Sequence, residues 1–583
     1  VTSTNTNPDL ESPPATAAAQ AAEVVDAPSA ADPRRWIAFI IMTVATFMDM
    51  LDGSIVNVAL PAIQHGMGAS FVQLQWITAG YVFAFALTLI TGGRLGDIYG
   101  RRKMFQLGVL GFVVTSFLCG ISVNPEMLVI SRLAQGLAAG LMVPQVMSII
   151  HVTFPDKEKG AVFAIQGTIG GLAATIAPLV GGVLVAANIF NWEWRSIFLV
   201  NVPIGIIGYV LGWKYINESK APSRIRLDLI GVVIATVSLT ALLFPLTFGR
   251  EMDWPAWGFV LMAASVVGFI GFVAYERAKQ RKDGMPLVPL SLFKSRSFSA
   301  ALALMLGMFS FTGMFMLALY LFLQEGLGFS PLRTGVTLLA FCIGAFITAS
   351  ASVIALVPKF GRAVLQVGAV VIAVGVAVLL FSISPDITSW GLVPGLLLIG
   401  LGFGMTATPI ALFALQEVPH EDAGAASGLI NTKQQLGFAV GISVVTLAFF
   451  APLASHGAAN AESLAPQVRQ ELVTAGVADA KATELAGAFQ TCAATTFSGT
   501  PDASACAAVQ ADPQAKAVAD KFTHQAAGQS FTDAFRTTLY VGFGFAALAL
   551  LLASFLPRWL KQEEWGAPAE EGAEEGAEDT AKA

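Results

Sequence analysis

The segment Trp36–Ile63, WIAFIIMTVATFMDMLDGSIVNVALPAI, decides the fold: it is apolar for longer than a bilayer is thick, yet it carries Asp49 and Asp52. A helix of this length crosses about 30 Å of hydrocarbon, and Asp52 then lies about 24 Å along its axis from Trp36 at 1.5 Å per residue. A charge at that depth costs at least ~3 kcal/mol and needs a partner, water or a proton. Two readings follow for Asp52: a functional proton or cation site, or a buried acid hydrogen-bonded to its neighbours. Asp49, three residues earlier, falls on the same helical face. Two such carboxylates raise one another's affinity for protons, although Asp49 would also suit the wet mouth of a vestibule.

The rest of the chain repeats the apolar pattern. Of 583 residues 55% are hydrophobic and 12% charged, against about 25% charged in soluble domains, so a bilayer is the missing solvent. Further spans are expected at Phe71–Gly93, Met104–Val123, Met127–Val152, Ala161–Ala187, Ile197–Tyr215, Leu229–Phe248 and Trp257–Tyr275. Phe298–Leu323, Leu332–Val357, Val364–Ile383, Gly391–Leu415, Ala423–Leu453 and Phe535–Leu556 complete the set. The expectation is an all-α membrane protein of about fourteen transmembrane helices.

Lys and Arg orient it. With the N-terminus in the cytoplasm, Arg34/Arg35, Arg101/Arg102/Lys103, Lys157/Lys159, Lys214 to Arg226, Arg277 to Lys282 and Arg558/Lys561 all fall inside, as the positive-inside rule asks. Residues 1–35 are expected to form a disordered cytoplasmic leader and 561–583 an acidic cytoplasmic tail. The polar stretch from Ala454 to Asp533 should be a small extracytoplasmic cap or a mobile loop. It holds Cys492 and Cys506, a candidate disulfide on the side where disulfides persist.

Other charged and small residues stand out against the apolar background. Arg132, in Ser131-Arg132-Leu133-Ala134-Gln135-Gly136, is the expected counter-charge of the acids, since a guanidinium inside a span must also find a partner. Gly93-Arg94-Leu95-Gly96-Asp97-Ile98-Tyr99-Gly100-Arg101-Arg102 would make a sharp turn and close helix approach, with Asp97 available to an Arg or a helix N-terminus. The fifth span carries Gly167, Gly170, Gly171, Pro178, Gly181 and Gly182, so close packing with a kink is expected. Gln324 and Glu325 end the ninth span, at the interface or on an exit path.

Taken together, these segments resemble the major facilitator superfamily, and within it the fourteen-span drug:proton antiporters. Leu51-Asp52-Gly53-Ser54-Ile55-Val56-Asn57-Val58-Ala59-Leu60-Pro61 is similar to that family's first-helix motif, Gly93–Arg102 to the superfamily loop motif, and Arg132, Gln135 and Gly136 to the fourth-helix motif. Ala177-Pro178-Leu179-Val180-Gly181-Gly182 is similar to the antiporter motif; Trp194–Gly205 and Gly424–Thr432 look like further signatures. The resemblance covers Trp36 to about Leu560. It implies two six-helix halves, 36–215 and 298–560, with two extra helices and a cytoplasmic linker (216–297) inserted between them, and rocking-type alternating access. It also implies a proton-coupling set of Asp52, Asp49 and Arg132, and an inner gate of Gly93, Asp97, Gly100, Arg101 and Arg102. The antiporter-motif helix would use Gly171, Pro178, Gly181 and Gly182, and a candidate substrate path Asn57, Gln135, Gln324, Glu325 and Asn431. The sequence departs from the pattern at Asp49, where an apolar residue is usual, before Pro178, where a Gly is missing, and at Val357-Pro358-Lys359-Phe360-Gly361-Arg362, a copy of the loop motif without its acid.

The expected activity is export of small lipophilic or cationic organic molecules in exchange for protons, by a multi-pass protein of a bacterial plasma membrane. The alternatives are an exporter of an endogenous metabolite, siderophore or lipid and, more remotely, a non-transporting sensor or scaffold. No P-loop GxxxxGK[ST] occurs, nor a nucleophile–base pair or metal-spaced cluster among the five histidines, so neither an enzyme nor a cofactor is expected. The expected partners are a small-molecule substrate, protons and the lipid bilayer, with no nucleic acid, and the chain is expected to be a monomer. The aromatics Phe311, Phe315 and Tyr320, with the acids near the first helix, point to lipophilic or cationic cargo, although a stripe of Phe in a membrane helix more often faces lipid or core.

Overall fold

A computed structural model describes residues 34–188, 191–220, 227–249, 252, 254–282, 286–419, 422–498, 502–511 and 513–559. The leader and the acidic tail expected from the sequence lie outside them. Among the described residues the chain is helical without strands, and thirteen helices are long and apolar enough to cross a membrane.

The first set comprises α1 (Arg35–Met67), α2 (Phe71–Tyr99), α3 (Arg101–Gly120), α4 (Pro125–Thr153), α5 (Asp156–Ala187) and α6 (Asn201–Tyr215). Next come α7 (Leu229–Phe248) and α8 (Ala256–Lys282), which pair as a hairpin. The second set is α9 (Arg296–Leu321), α10 (Pro331–Ala351), α11 (Ala363–Ser382), α12 (Ser389–Leu415) and α13 (Ala423–Val445). Three cap helices follow, α14 (Ala451–Thr474), α15 (Asp479–Ser498) and α16 (Ala503–Ala511), and then α17 (Pro513–Ala553), which completes the second set.

The two sets repeat one packing scheme. α2 lies on α4 as α10 lies on α12; α3 on α4 as α11 on α12; α1 on α5 as α9 on α13; and α3 on α6 as α11 on α17. The local signals repeat too. Ser70 and Ser330 cap α2 and α10 by accepting from the backbone N–H three residues on, and glycines at positive φ, Gly100 (110°) and Gly361 (57°), turn the chain into α3 and α11. The halves meet along α2 with α13 and α5 with α10. α7 touches both halves: Phe248 stacks on Trp76 of α2 at 4.5 Å between ring centroids, and Ser443 of α13 donates to the Leu246 carbonyl at 2.9 Å.

The second loop lacks the acid of the first, and the structure shows a different use for its cation. Arg362 donates to the carbonyls of Ser554 and Leu556, both at 2.6 Å, satisfying the chain just beyond the end of α17.

Among the described residues of 454–533 the chain is largely helical, not a mobile loop. α13 runs through a π-helical turn, Thr446–Phe450, straight into α14, and α17 begins at Pro513 before entering its apolar part. Two spans thus continue beyond the ends at Leu453 and Phe535 expected from the sequence. Between them Leu464, Val468, Leu472, Leu485, Phe489 and Phe522 bury a separate small core, closed by a Cys492–Cys506 disulfide. Leu464, Val468 and Leu472, like Leu485 and Phe489, recur at four-residue spacing, so the cap helices are amphipathic rather than apolar throughout.

Candidate functional site

The polar centre of the first half is built by five helices. Asp52 on α1 is fully buried, and Arg132 on α4, also fully buried, donates from Nη1 to its Oδ2 at 2.5 Å. Asp52 Oδ1 accepts from Asn201 Nδ2 at 2.8 Å and from Gln135 Nε2 at 3.2 Å. Gln135 Oε1 takes a second bond from Arg132 Nη1 at 2.7 Å, and its Nε2 also donates to Ser116 Oγ at 2.7 Å. The Cys119 thiol faces Gln135 Oε1 at 3.7 Å. Arg132 and Gln135 are one turn apart on α4, as are Ser116 and Cys119 on α3, so the helical period delivers each pair to one point.

α2 supplies the remaining wall. Gly136 on α4 allows its close approach, because a Cβ there would run into the Tyr81 carbonyl. Ile77 and Tyr81, one turn apart, both reach Arg132: Nε donates to the Ile77 carbonyl at 2.9 Å, and the guanidinium lies over the Tyr81 ring at 4.2 Å from its centroid. The Tyr81 hydroxyl donates to Asp49 Oδ1. Asp49 is buried rather than at a wet mouth, its bonded partner is the phenol, and Tyr81 joins the two acid sites through opposite parts of one side chain. Asn201, Ser116 and Tyr81 carried no distinctive sequence signal; Asn201 stood within the sixth-span signature, but a single amide in an apolar run is ordinary.

Tyr81 gives a direct test. Tyr81→Phe keeps the ring over Arg132 and removes the donor to a buried carboxylate, so a loss of about 1–3 kcal/mol is expected, read as a lower unfolding midpoint in detergent. An unchanged midpoint would mean that Asp49 finds another donor.

A second cluster joins the halves. Asp97, at the end of α2, accepts from Arg101 Nη2 at 2.8 Å and, across the boundary, from the backbone N–H groups of Gly424 (3.1 Å) and Ala425 (3.2 Å). These amides open α13, whose N-terminal dipole favours an acid there. Arg94 Nη1 lies 3.8 Å from Asp97 and 3.6 Å from Asp422, and Nη2 donates to the Pro286 carbonyl at 3.0 Å. Gly93 faces Gly424 so closely that a Cβ on either would run into the other's carbonyl oxygen.

Not every expected gate or path residue falls here. Arg102 stays within the first half, stacked over Trp213 at 5.0 Å and bonded to the Ile216 carbonyl at 3.2 Å, and Gly100 supplies the turn beside Glu218. Asn431, on α13, donates to the Ser427 carbonyl at 2.8 Å and approaches Met147 of α4 at 3.7 Å, across the boundary. Gln324 and Glu325 sit in a π-helical turn ending α9, with Glu325 exposed, away from the Asp52 cluster. The side chains of Asn57, Gly171, Pro178 and Gly182 lie outside the described residues; α5 is helical throughout, and Gly181 is buried. Among the described residues no group of His, Cys, Asp and Glu could hold a metal.

Comparison with known proteins places this architecture. A family model described as Major Facilitator Superfamily matches residues 42–442. The chain is 40% identical over 540 residues to a probable actinorhodin transporter of Streptomyces coelicolor, covering 91% of this chain and 93% of that protein. It is 34% identical over 426 residues to a tetracenomycin C resistance and export protein of Streptomyces glaucescens, covering 71% and 75%. The fold is shared with the human organic anion transporter MFSD10 at a TM-score of 0.52 and 14% identity, over 89% of this chain and 99% of that one. With spanning helices, a duplicated packing scheme and transporters for relatives, the chain is a membrane transporter rather than an enzyme, and it belongs to the major facilitator superfamily.

Proposed function

We propose that this protein exports a small organic molecule, of the antibiotic or drug class, in exchange for protons across a bacterial plasma membrane, with the Asp97 end of the bundle in the cytoplasm. The observation that carries the reading is Asp52: a carboxylate sealed in an apolar helix and held by Arg132, Gln135 and Asn201. Neutralising Asp52 by a proton would free Arg132 from its only ion-pair partner among the described residues, and an unpaired buried guanidinium must find a new one. Rearrangement of α1 against α4 therefore accompanies proton binding. The Asp97 latch on α13 is the element that such a rearrangement would release to let the halves rock.

Energetically no nucleotide is needed, because one charge moving through 100 mV supplies about 2.3 kcal/mol. A second reading is export of a compound made by the cell itself. It is favoured by a relative that matches over nearly its whole length and is named as a probable transporter of one compound.

The test is reconstitution of wild type and Asp52→Asn in liposomes under an imposed pH gradient, following internal pH and a panel of lipophilic cations, neutral drugs and aromatic acids. Wild type is expected to move substrate while dissipating the gradient, and Asp52→Asn to lose both. Equal, gradient-independent movement by the two proteins would remove proton antiport from the account.

A further inference from the structure

The inserted hairpin carries a second buried acid pair that the Asp52 cluster does not explain. Asp228 precedes α7 and Glu276 lies on α8; they are 3% and 0% exposed. Each has one satisfied oxygen. Asp228 Oδ1 accepts from the Tyr275 hydroxyl at 2.8 Å and the Gly231 N–H at 3.1 Å, and Glu276 Oε2 accepts from the Val288 N–H at 3.1 Å. Each also has one buried oxygen without a hydrogen-bond partner, Asp228 Oδ2 and Glu276 Oε1. These two converge on Gly231, where an added Cβ would stand 2.5 Å from Glu276 Oε1 and 2.7 Å from Asp228 Oδ2.

Two carboxylates with bare oxygens turned toward one point, out of water, cannot both remain ionised at ordinary cost, whereas one proton between them supplies the missing donor and removes the repulsion. We propose that Asp228 and Glu276 form a second proton-binding site, distinct from Asp52, in which one proton is shared between Oδ2 and Oε1. A metal cation would ask for about six oxygen ligands, and the two bare oxygens are all that the described residues direct there. Among the described residues the charged and titratable groups around the pair are Tyr275 and Lys279 on α8 and Arg94 on α2. Arg94 Nη2 is held by the Pro286 carbonyl and Nη1 lies near Asp97 and Asp422, and among the described residues the guanidinium makes no ion pair with Asp228 or Glu276.

The position gives the site a consequence. The segment leading into the second half is held at both sides: its Val288 amide by Glu276, and its Pro286 carbonyl by Arg94 of the latch. The charge on the pair therefore acts on the piece of backbone that Arg94 grips. A shared proton keeps Glu276 Oε2 an acceptor for Val288, while loss of it sets two like charges against one another inside the hairpin and loosens that hold.

The experiment is an infrared pH titration of the full chain in lipid vesicles, without substrate, for wild type, Glu276→Gln and Asp228→Asn, with thermal midpoints taken in sodium and in choline chloride. Being read without transport, it stands or falls separately from the antiport reading. Expected is a neutral carboxyl carbonyl band at pH 7 in wild type that loses one carboxyl equivalent in Glu276→Gln. The band should also fall in Asp228→Asn, because the new amide donates to Glu276 and lets it ionise. Glu276→Gln retains an acceptor for Val288 and so preserves the local fold; Asp228→Asn is the independent variant. Absence of the band in wild type, or an unchanged band in both variants, overturns the shared proton. A midpoint that rises in sodium only when both acids are present would assign the site to a cation instead.

Discussion

Arg132→Met is expected to be among the most destabilising single replacements in the chain, lowering stability by roughly 3–5 kcal/mol, because it strands a buried carboxylate. It also removes the donor to the Ile77 carbonyl and one of two donors to Gln135 Oε1. Asp52 would keep Asn201 and Gln135, two neutral donors against one full charge, and would be driven to take a proton. Replacing both residues, Asp52→Asn with Arg132→Met, removes the charge and its counter-charge together. Most of the lost stability is then expected to return, since replacing a whole buried pair is often near neutral. Unfolding midpoints of wild type, the single variants and the double variant in one detergent complete the cycle. If Arg132→Met were as stable as wild type, or the double variant no better than the poorer single one, the pair would not be the electrostatic centre described here. The cycle also separates folding from coupling: a double variant that folds well yet no longer follows the pH gradient would place the pair in transport itself.

How far the site was legible follows from what each residue costs in an apolar helix. Asp52 and Arg132 stood out because ionised groups in mid-span are rare and must be paired, so naming one named the need for the other. Tyr81, Ser116 and Asn201 are tolerated in spans without special arrangement, and only their positions in space reveal that they converge. Asp49 was legible as an acid on the Asp52 face, but neither its burial nor its partner was, since Tyr81 lies on another helix with no charge to mark it.

The fold was legible wherever the bilayer imposes a length on an apolar run. It was least legible where helices outrun their apolar stretches. α8 continues through Arg277, Arg281 and Lys282, and α13 and α17 extend into the cap, because a helix ends where its backbone is capped rather than where the hydrocarbon stops. The cap itself hides in an Ala-rich polar composition. Its core rests on a few residues such as Leu464, Val468 and Phe489, spaced by helical period rather than gathered in a run.

Gly93→Ala is expected to separate the halves at the latch. Its new methyl group would meet the Gly424 carbonyl, and because Gly424 meets Gly93 in the same way, neither helix can absorb the overlap by turning a side chain aside. α2 and α13 must move apart, which draws Asp97 from the two amides that open α13. Overpacking of this kind costs typically 1–3 kcal/mol, a factor of about 5 to 150 in the balance between closed and open arrangements. The measurement is the distance between spin labels at Lys103→Cys and Lys359→Cys, exposed positions of the first and second halves, in a chain whose half-buried Cys342 is replaced by Ser. A longer mean distance is expected for Gly93→Ala. Gly208→Ala on α6, where an added Cβ meets nothing within 4 Å, should leave the distance unchanged. Asp97→Asn should lengthen it too: the amide retains one acceptor for α13 but loses the charge that attracts both the helix dipole and Arg101. If Gly93→Ala left the distance at the wild-type value, the glycine contact would be incidental to closure, and the hold between the halves would have to lie with α5 and α10 or with the α7 hairpin that touches both.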